Sequence, residues 1–444
     1  EKYIFTGTGM ASKQVGVSID SEIYKKNWEE INQYGYNEAT TGVNRLGYGD
    51  ADFAARRWFL EKCSELGFKS RMDDVGNVYA RFGREDGPCI MSGSHIDSVP
   101  EGGKYDGILG VMAAFECCRA IKAANLTPKV AIEIIGTAEE EGRFGGMLGS
   151  QAIAGLVDDN WVKSSKDANG VTLKDAMASQ GLNAFNYKNC KRNVGCDAGD
   201  DIKAFIEMHI EQGPVLEQLG LSIGIVDSIA GTINPIFSFD GESNHSGTTP
   251  MNLRKDPMSA FTLFGSKLNQ IIRDFGSRNA RATIGKVDVE PNFVHTIPNK
   301  VRFCVNLRDD DNACMWAMFN ALDELAKECC SAHSCTVSRD DSLGSLVPVK
   351  LDDSLRDVLV NEAGKLVDNL GITAPPGQPS AYKVMTSGAG HDAQNFQQIC
   401  PSGMVFIPSV QGVSHSPHEY TNWEDVVIGT QLLCNVLCRL AEVD

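Results

Sequence analysis

The sequence predicts an α/β protein built around a mixed β-sheet. Patterns typical of helices and of strands alternate along most of the 444 residues. The run 129–136 is apolar enough to form an interior strand of such a sheet. Two predicted strands end in carboxylate or imidazole side chains, at the strand ends where open α/β sheets place their sites.

Each element follows from the spacing of its apolar residues. In the second helix, for example, Phe53, Trp58, Leu60 and Cys63 share one face. In chain order, the prediction is helices 21–34 and 51–66, strands 69–72 and 77–81, a central strand around Ile90 and Met91 that breaks at Gly93 and delivers His95, helix 108–124, strands 129–136 and 204–210, and a closing helix 423–441.

Composition excludes several classes of partner. The 58 acidic against 41 basic residues give a formal charge of −17, which argues against nucleic acid or an anionic membrane as the main partner. No apolar run has the length of a membrane span, and residues 1–17 lack the pattern of a secretory signal. The 14 cysteines, spread over a long chain, indicate reduced thiols in a cytoplasmic protein.

The stretch 89–110 is the first candidate metal site. A buried strand delivers His95 and Asp97 to one side of the chain, and Asp106 follows at the start of an apolar helix. Imidazole and carboxylate ligands suit zinc or manganese. A plain polar loop at a strand end is the alternative.

Three consecutive glutamates, residues 139–141, follow the next apolar strand. Such a triplet is usually a solvated loop, but Phe144, Met147 and Leu148 come directly after it and favour a buried position. In that position one glutamate can bind a metal while its neighbour acts as a general base.

A third strand places His209 and Glu211 on one face. A lone strand histidine is usually a core residue. Here, however, the histidines cluster in a few polar segments; they are His95, His209, His245, His295, His333, His391, His415 and His418.

Six motifs in order carry a family resemblance. They are His95 with Asp97, Lys104-Tyr-Asp106-Gly, Glu139-Glu140 with Arg143-Phe144, His209-Ile-Glu-Gln-Gly-Pro, His245-Ser-Gly-Thr-Thr-Pro-Met with Arg254 and Asp256, and Ser387-Gly-Ala-Gly-His391-Asp. With these motifs the sequence resembles the N-carbamoyl amino acid amidohydrolases of the β-ureidopropionase type and the allantoate and ureidoglycolate amidohydrolases. These enzymes are a branch of the dinuclear-metal aminoacylase and carboxypeptidase family, and the resemblance extends from about residue 44 to the C-terminal helix.

The resemblance implies a mixed-sheet dinuclear-metal hydrolase domain in two parts, 1–227 and 347–444. Residues 228–346 would form an inserted ferredoxin-like α+β domain, with strand-helix-strand-strand-helix-strand order. In the family such an insertion acts as a lid and dimerisation domain, so a homodimer is expected.

The resemblance also implies two divalent metal ions, zinc or alternatively manganese. Asp106 would bridge them, with His95 and His209 on one ion and Glu140 and His391 on the other. Glu140 is preferred over Glu141 because the family pattern Glu-Glu-x-x-Arg-Phe then aligns without a gap. Glu139 is then the general base.

Further roles carry over to individual residues. His245 resembles the family's lid histidine, which reaches into the active site of the partner subunit, and would donate a hydrogen bond to the oxyanion there; a polar turn residue is the alternative. Arg308 would bind the substrate carboxylate. Gln212 would contact substrate, and Asp97 would orient a metal ligand. His415 would line the pocket, with a surface loop as the alternative.

Two stretches depart from the pattern. His295 stands where family members usually have Asn, which alters the expected substrate pocket. Residues 183–199, with Cys190 and Cys196, are predicted to be a surface loop rather than a metal site.

The predicted function is hydrolysis of the ureido C–N bond of an N-carbamoyl amino acid, such as N-carbamoyl-β-alanine, to amino acid, CO2 and ammonia. The substrate is a small ureido carboxylate. Allantoate or ureidoglycolate hydrolysis is the first alternative. An aminoacylase or dipeptidase is disfavoured by His209, because the resemblance implies that the related peptidases carry a carboxylate there. A non-catalytic metal-dependent binding protein is the alternative of another class.

Overall fold

The chain folds into two units. The computed structural model describes residues 16–192 and 202–444. The first unit comprises the described residues up to Asp227 together with Leu351–Met385 and His391–Asp444, and the second comprises Ser228–Lys350 and Thr386–Gly390. The mixed α/β fold class is therefore confirmed.

The described strands are numbered along the chain. They are β1 Lys69–Met72, β2 Val78–Phe82, β3 Cys89–His95, β4 Ala131–Thr137, β5 Ile202–Ile210, β6 Gly224–Ile229, β7 Gly231–Ile233, β8 Ile236–Asp240, β9 Asn244–His245, β10 Arg281–Glu290, β11 Thr296–Ile297, β12 Lys300–Asp309, β13 Thr336–Asp340, β14 Ser345–Leu346, β15 Val349–Lys350, β16 Lys383–Ser387 and β17 Ser402–Ile407.

The described helices are numbered in the same way. They are α1 Ser21–Ile31, α2 Asp50–Glu65, α3 Ile108–Ala123, α4 Leu148–Ala154, α5 Asp159–Ser164, α6 Leu173–Ser179, α7 Val215–Leu219, α8 Pro257–Phe275, α9 Asn312–Ala332, α10 Asp353–Leu370, α11 Asp392–Phe396 and α12 Trp423–Leu440, with 3-10 helices Ala184–Cys190, Met251–Leu253 and Val410–Gly412. None of these helices has the length and apolar content needed to cross a bilayer.

The sheet of the first unit has the order β1-β2-β4-β3-β5-β17-β6. Its central neighbours β4, β3, β5 and β17 are parallel, and they are buried along nearly their whole length. Helices α3 and α12 pack against these strands. Parallel strands end at the same edge of a sheet. The residues that follow the strand ends at His95, Thr137 and Ile210 therefore lie at one edge.

The second unit has its own antiparallel sheet with the order β13-β8-β12-β10. In chain order its elements are β8, α8, β10, β12, α9 and β13, which is the ferredoxin-like arrangement. Burial alternates along β8 and β12, so each strand turns one face toward the core formed with α8 and α9.

Helix α8 shows why these elements begin where they do. The Asp256 side chain accepts hydrogen bonds from the N–H groups of Met258 and Ser259, and Pro257 occupies the first turn. A capping carboxylate and a proline at this position are both typical of a helix start.

The segment 183–199 differs from the predicted surface loop where it is described. Ala184–Cys190 forms a 3-10 helix, and Ala184, Tyr187 and Cys190 are buried in an apolar cluster. The apolar residues are spaced to cover one side of this short helix, which the polar composition of the stretch concealed. Cys196 lies outside the described residues.

We expect Gly93→Ala to destabilise the first unit. Gly93 pairs with Ile135 in the centre of the sheet, and a Cβ atom there would lie 1.8 Å from the Ile135 carbonyl oxygen. Overpacking of this kind costs about 1–3 kcal/mol, so Tm should fall by roughly 3 °C or more in differential scanning calorimetry. Gly285→Ala in β10 is the control, because nothing lies within 4 Å of its Cβ position. Equal Tm values for the two variants would contradict this packing.

Candidate metal centre

Polar side chains converge at the edge where the parallel strands of the first unit end. Strands β3 and β5 carry histidines at or near their ends, the loop before α3 carries an aspartate, and the segment after β4 carries glutamates. The loop before α12 supplies one more histidine. The converging residues are His95, Asp97, Asp106, Glu140, Glu141, His209 and His415.

Asp106 lies at the centre of this cluster and uses its two carboxylate oxygens differently. Its Oδ1 lies 3.1 Å from His209 Nε2 and 3.5 Å from His95 Nε2. Its Oδ2 lies 3.3 Å from His415 Nε2. Burial alone would raise the pKa of Asp106, but hydrogen bonds from the three imidazoles hold that pKa well below its usual value.

Backbone carbonyl groups orient two of the imidazoles. The Nδ1 atom of His95 lies 2.9 Å from the Asp97 carbonyl oxygen, and that of His209 lies 2.8 Å from the Ile210 carbonyl oxygen. A ring held through Nδ1 in this way can bind a metal through Nε2 once Nε2 has lost the hydrogen that it donates to Asp106. Both Nε2 atoms face Asp106.

Glu141 and His415 form the second set around Asp106. Glu141 Oε2 lies 3.4 Å from His415 Nε2, and Glu141 Oε1 is a buried oxygen without a hydrogen-bond partner among the described residues. Burial and the charge of Asp106 raise the pKa of Glu141 to about 7. A buried carboxylate oxygen that lacks a donor is suited to a cation.

Two sets of potential ligands therefore share Asp106. The ligand atoms of His95, Asp106 and His209 all lie within 4.8 Å of one another, and so do those of Asp106, Glu141 and His415. Both sets consist of imidazole and carboxylate groups, which suit zinc or manganese. The residues present thus fit a pair of divalent cations.

Glu140 occupies a different position from Glu141. Its Oε2 lies 3.6 Å from His95 Nε2, and it belongs to neither set. Burial and neighbouring carboxylates, among them Glu141 and Asp392, raise the pKa of Glu140 well above its usual value, against the opposing charge of His95.

Glu139 turns toward the loop that follows it. Its Oε1 accepts hydrogen bonds from the N–H groups of Phe144 (2.5 Å) and Gly146 (3.4 Å). Its backbone has a positive φ of 56°. Burial and the charge of Asp97 raise the pKa of Glu139 to about 8. Its hydrogen bonds thus stabilise the turn.

Asp97 lies behind the glutamates. Its carboxylate accepts hydrogen bonds from the N–H groups of Glu140 (3.2 Å) and Glu141 (3.1 Å). Together with its carbonyl contact to His95, these bonds connect the end of β3 to the segment after β4. Asp97 therefore fixes the backbone from which both glutamates project.

His391 lies in a third buried group. Its ligand atom lies within 4.8 Å of those of Glu207 and His209, and its ring centroid is 4.6 Å from that of His209. Glu207 accepts hydrogen bonds from Ser94 Oγ (2.6 Å) and the Ala393 N–H (2.9 Å). This group contacts the centre through His209, whereas the set around Asp106 Oδ2 contains His415.

Gln212 contacts the same carboxylate. Its Nε2 lies 2.7 Å from Asp106 Oδ2, and Ser414 Oγ lies 3.1 Å from that oxygen. The Gln212 side chain is therefore part of the polar surroundings of Asp106.

The remaining predicted residues belong to the second unit. Arg308 Nε donates to Asn306 Oδ1 (3.1 Å), and its Nη1 donates to the Gly388 carbonyl oxygen (2.5 Å). Within the described chain it forms no ion pair, and burial lowers its pKa. This held, half-buried guanidinium is suited to an anionic ligand.

His245 and His295 are neighbours in the same unit. His245 Nδ1 accepts hydrogen bonds from the N–H groups of Gly247 (3.0 Å) and Thr248 (3.2 Å), so the neutral ring carries its proton on Nε2. His295 accepts a hydrogen bond from the Ser246 N–H through its carbonyl oxygen, and its ring packs on Phe293.

Sequence reasoning missed two contributions to the centre. Glu141 was set aside in favour of an ungapped alignment, although the triplet itself allowed either choice. Glu419, whose carboxylate accepts the Asp106 N–H, was not singled out. Its spacing of four residues after His415 was the available signal.

Comparisons with known proteins find matches over most of the chain. Residues 91–439 match the peptidase family M20/M25/M40. An allantoate amidohydrolase of Bacillus subtilis is 35% identical, covering 93% of this chain and 96% of its own. An N-carbamoyl-L-amino-acid amidohydrolase of Paenarthrobacter aurescens is 34% identical, covering 90% and 93%.

A solved structure resembles the whole chain. It is an amidase of the hydantoinase/carbamoylase family from Burkholderia multivorans, with 29% identity and a TM-score of 0.82, covering 96% of this chain and 98% of its own.

Proposed function

Because the chain belongs to the peptidase family M20/M25/M40 and is an amidohydrolase acting on ureido or amide bonds, we propose that it hydrolyses an N-carbamoyl amino acid to amino acid, CO2 and ammonia. The observation that carries this proposal is Asp106, whose two oxygens face two separate sets of imidazole and carboxylate groups. Family members resembling it in sequence act on such ureido compounds, as their names state.

The proposed ligand assignment differs from the one predicted from sequence. Asp106 would bridge two divalent cations, zinc or manganese, with His95 and His209 on one and Glu141 and His415 on the other. The distances around Asp106 support Glu141 and His415 in place of Glu140 and His391. When bound, such cations acidify water and polarise a carbonyl oxygen.

Glu140 is the proposed general base in place of Glu139. Its buried carboxylate lies beside His95 and outside both ligand sets. Glu139 also belongs to neither set; its Oε1 is bonded to its own loop, and its Oε2 is a buried oxygen without a hydrogen-bond partner among the described residues. A raised pKa suits a group that must accept and then release a proton. Glu140 would take a proton from the attacking water and deliver it to the leaving nitrogen as the C–N bond breaks. The carbamic acid product then loses CO2.

Two residues of the second unit would bind the substrate. Arg308 would form paired hydrogen bonds with the substrate carboxylate, which is supported by its lack of an ionic partner among the residues that the structure describes. His245 would donate its Nε2 hydrogen to the developing oxyanion. Gln212 and His295 remain proposed substrate contacts.

A second substrate is specifically supported. The Bacillus subtilis relative is an allantoate amidohydrolase, and allantoate is also a ureido carboxylate. Ammonia release from N-carbamoyl-β-alanine, an N-carbamoyl-L-amino acid, allantoate and ureidoglycolate would be compared. The highest kcat/KM on an N-carbamoyl amino acid supports the proposal, and activity on allantoate alone rejects it.

A homodimer formed through the second unit is also proposed. Strand β10 is largely exposed and pairs with β12 alone among the described strands, which leaves one edge available. Met251, Leu253, Phe293 and Val294 are exposed apolar residues of the same unit.

A cytoplasmic location is supported by the thiols, because every cysteine that the structure describes is free.

Substitution of the three glutamates one at a time should give different effects on cation content and kcat. Glu141→Gln should lose about one cation per subunit, because a neutral amide is a weaker ligand than a carboxylate. Glu140→Gln should keep both cations and lose 10²-fold or more in kcat, as expected for loss of a general base. Cation content by inductively coupled plasma mass spectrometry and kcat are the measurements.

Glu139→Gln is the matched control, since its amide oxygen can still accept the loop N–H groups. It should keep both cations and kcat within about threefold. If Glu139→Gln alone abolished turnover with cations retained, Glu139 would be the base instead.

Arg308→Leu should raise KM for N-carbamoyl amino acids about 10–100-fold, since a charge-assisted pair is worth roughly 1.5–3 kcal/mol. Activity on a ureido compound without a carboxylate should change little. Arg302→Leu is the control, because Arg302 lies on the same strand but pairs with Asp340 at the surface. An unchanged KM in Arg308→Leu would exclude the carboxylate contact.

His245 should act on the active site of the partner subunit. Glu140→Gln and His245→Ala, each inactive alone, would be co-expressed with different tags and assayed together. Random pairing makes half of the dimers mixed, and each mixed dimer contains one complete site, so about a quarter of wild-type activity should return. If no activity returned although mixed dimers were isolated, His245 would serve its own subunit or neither.

A further inference from the structure

Glu419 is a buried carboxylate that no described lysine or arginine neutralises. Its side chain is 5% exposed. Its Oε1 accepts hydrogen bonds from the N–H groups of Tyr105 (2.9 Å) and Asp106 (3.0 Å), and its Oε2 accepts one from Ser414 Oγ (2.9 Å). A buried carboxylate without a cationic partner is costly, so a residue of this kind needs a specific role.

The bonds of Glu419 repeat an arrangement found at Asp97. Asp97 accepts the N–H groups of the consecutive residues Glu140 and Glu141. Each of these two acceptors comes from a segment that also carries an imidazole, His95 for Asp97 and His415 for Glu419. Asp97 therefore connects the segment of His95 to the segment of Glu140 and Glu141. In the same way, Glu419 connects the segment of His415 to the segment of Asp106.

Space for the Glu419 carboxylate comes from a glycine. A Cβ atom on Gly103 would lie 2.1 Å from Glu419 Oε1. Any larger residue at position 103 would displace the carboxylate from the N–H groups of Tyr105 and Asp106. Glycine at position 103, before Lys104, is therefore required for a steric reason that is independent of the hydrogen bonds that Glu419 accepts.

Ser414 connects the two carboxylates. Its Oγ lies 2.9 Å from Glu419 Oε2 and 3.1 Å from Asp106 Oδ2. A hydroxyl group has one hydrogen to donate, so it can serve only one of these oxygens at a time. A Glu419 that holds the Ser414 hydrogen removes one of the donors from Asp106 Oδ2, which keeps its contact with Gln212 Nε2.

We propose that Glu419 is a positioning residue that fixes the backbone of Asp106 so that each Asp106 oxygen faces its own ligand set. This inference rests on the two-cation site proposed above. Glu419 belongs to neither ligand set and forms no hydrogen bond with their potential ligand atoms. It acts through the Asp106 backbone N–H and through the Ser414 hydroxyl group.

The test compares Glu419→Ala with Glu419→Gln. Glutamine keeps an oxygen that can accept both N–H groups, and its amide can donate to Ser414 Oγ. Loss of an outer partner of a metal ligand typically costs 10–100-fold in metal affinity or activity. Glu419→Ala should therefore bind Zn²⁺ 10–100-fold more weakly in chelator competition and lose 10–100-fold in kcat, with KM within about threefold. Glu419→Gln should restore both to within about threefold of wild type.

Two further variants complete the experiment. Gly103→Ala keeps the carboxylate but displaces it, so it should weaken Zn²⁺ binding as Glu419→Ala does; it carries the test if Glu419→Ala does not fold. Glu424→Ala, at an exposed position in the first turn of α12, should behave as wild type. The visible absorption of Co²⁺-loaded protein reports the ligand geometry and should change in Glu419→Ala but not in Glu424→Ala.

The outcomes separate this inference from the proposed function. Wild-type Zn²⁺ affinity and kcat in Glu419→Ala would overturn the inference and leave the proposed function intact. So would a Glu419→Gln variant as impaired as Glu419→Ala, because an oxygen accepting two N–H groups would then not be the cause. A wild-type protein that bound fewer than two cations per subunit would reject the proposed function, and this inference with it.

Discussion

The structure of the first unit depends on one shared carboxylate. Asp106 directs Oδ1 to His95 and His209 and Oδ2 to His415, and so joins two ligand sets that come from separate strands and loops. Its position leaves little freedom to its neighbours. Gly107 has a positive φ of 66°, and a Cβ atom there would lie 2.2 Å from the His95 ring. The residue between Asp106 and α3 must therefore be glycine.

The concentration of buried acidic groups explains why the protein surrounds this site with backbone donors. Asp97, Glu139, Glu207 and Glu419 each accept at least one backbone N–H. Backbone hydrogen bonds compensate part of the cost of burying a carboxylate without adding a charge that would compete with a cation. The remaining excess of negative charge favours cation binding and couples it to the stability of the fold.

The sequence predicted the fold class, most element positions and the residues His95, Asp106 and His209, because strand periodicity and helix starts determine where these residues lie. It assigned Glu140 to a cation, whereas the glutamate beside His415 in the structure is Glu141. The backbone of Glu139 has a positive φ, a local feature that residue type alone does not reveal. The sequence also assigned His391 to the second cation, whereas the histidine near Asp106 Oδ2 in the structure is His415 and His391 lies beside Glu207 and His209.

The order of strands in the main sheet has a consequence for synthesis of the protein. Strand β17 lies between β5 and β6, although it follows both by a long stretch of chain. While the polypeptide emerges from the ribosome, the edges of β5 and β6 that β17 will join stay unpaired until Ser402–Ile407 has been translated. The second unit can by then have folded, since nearly all of it lies between Ser228 and Lys350. The main sheet is thus completed only after the second unit has been translated, which makes the exposed strand edges a point where the nascent chain would benefit from a chaperone.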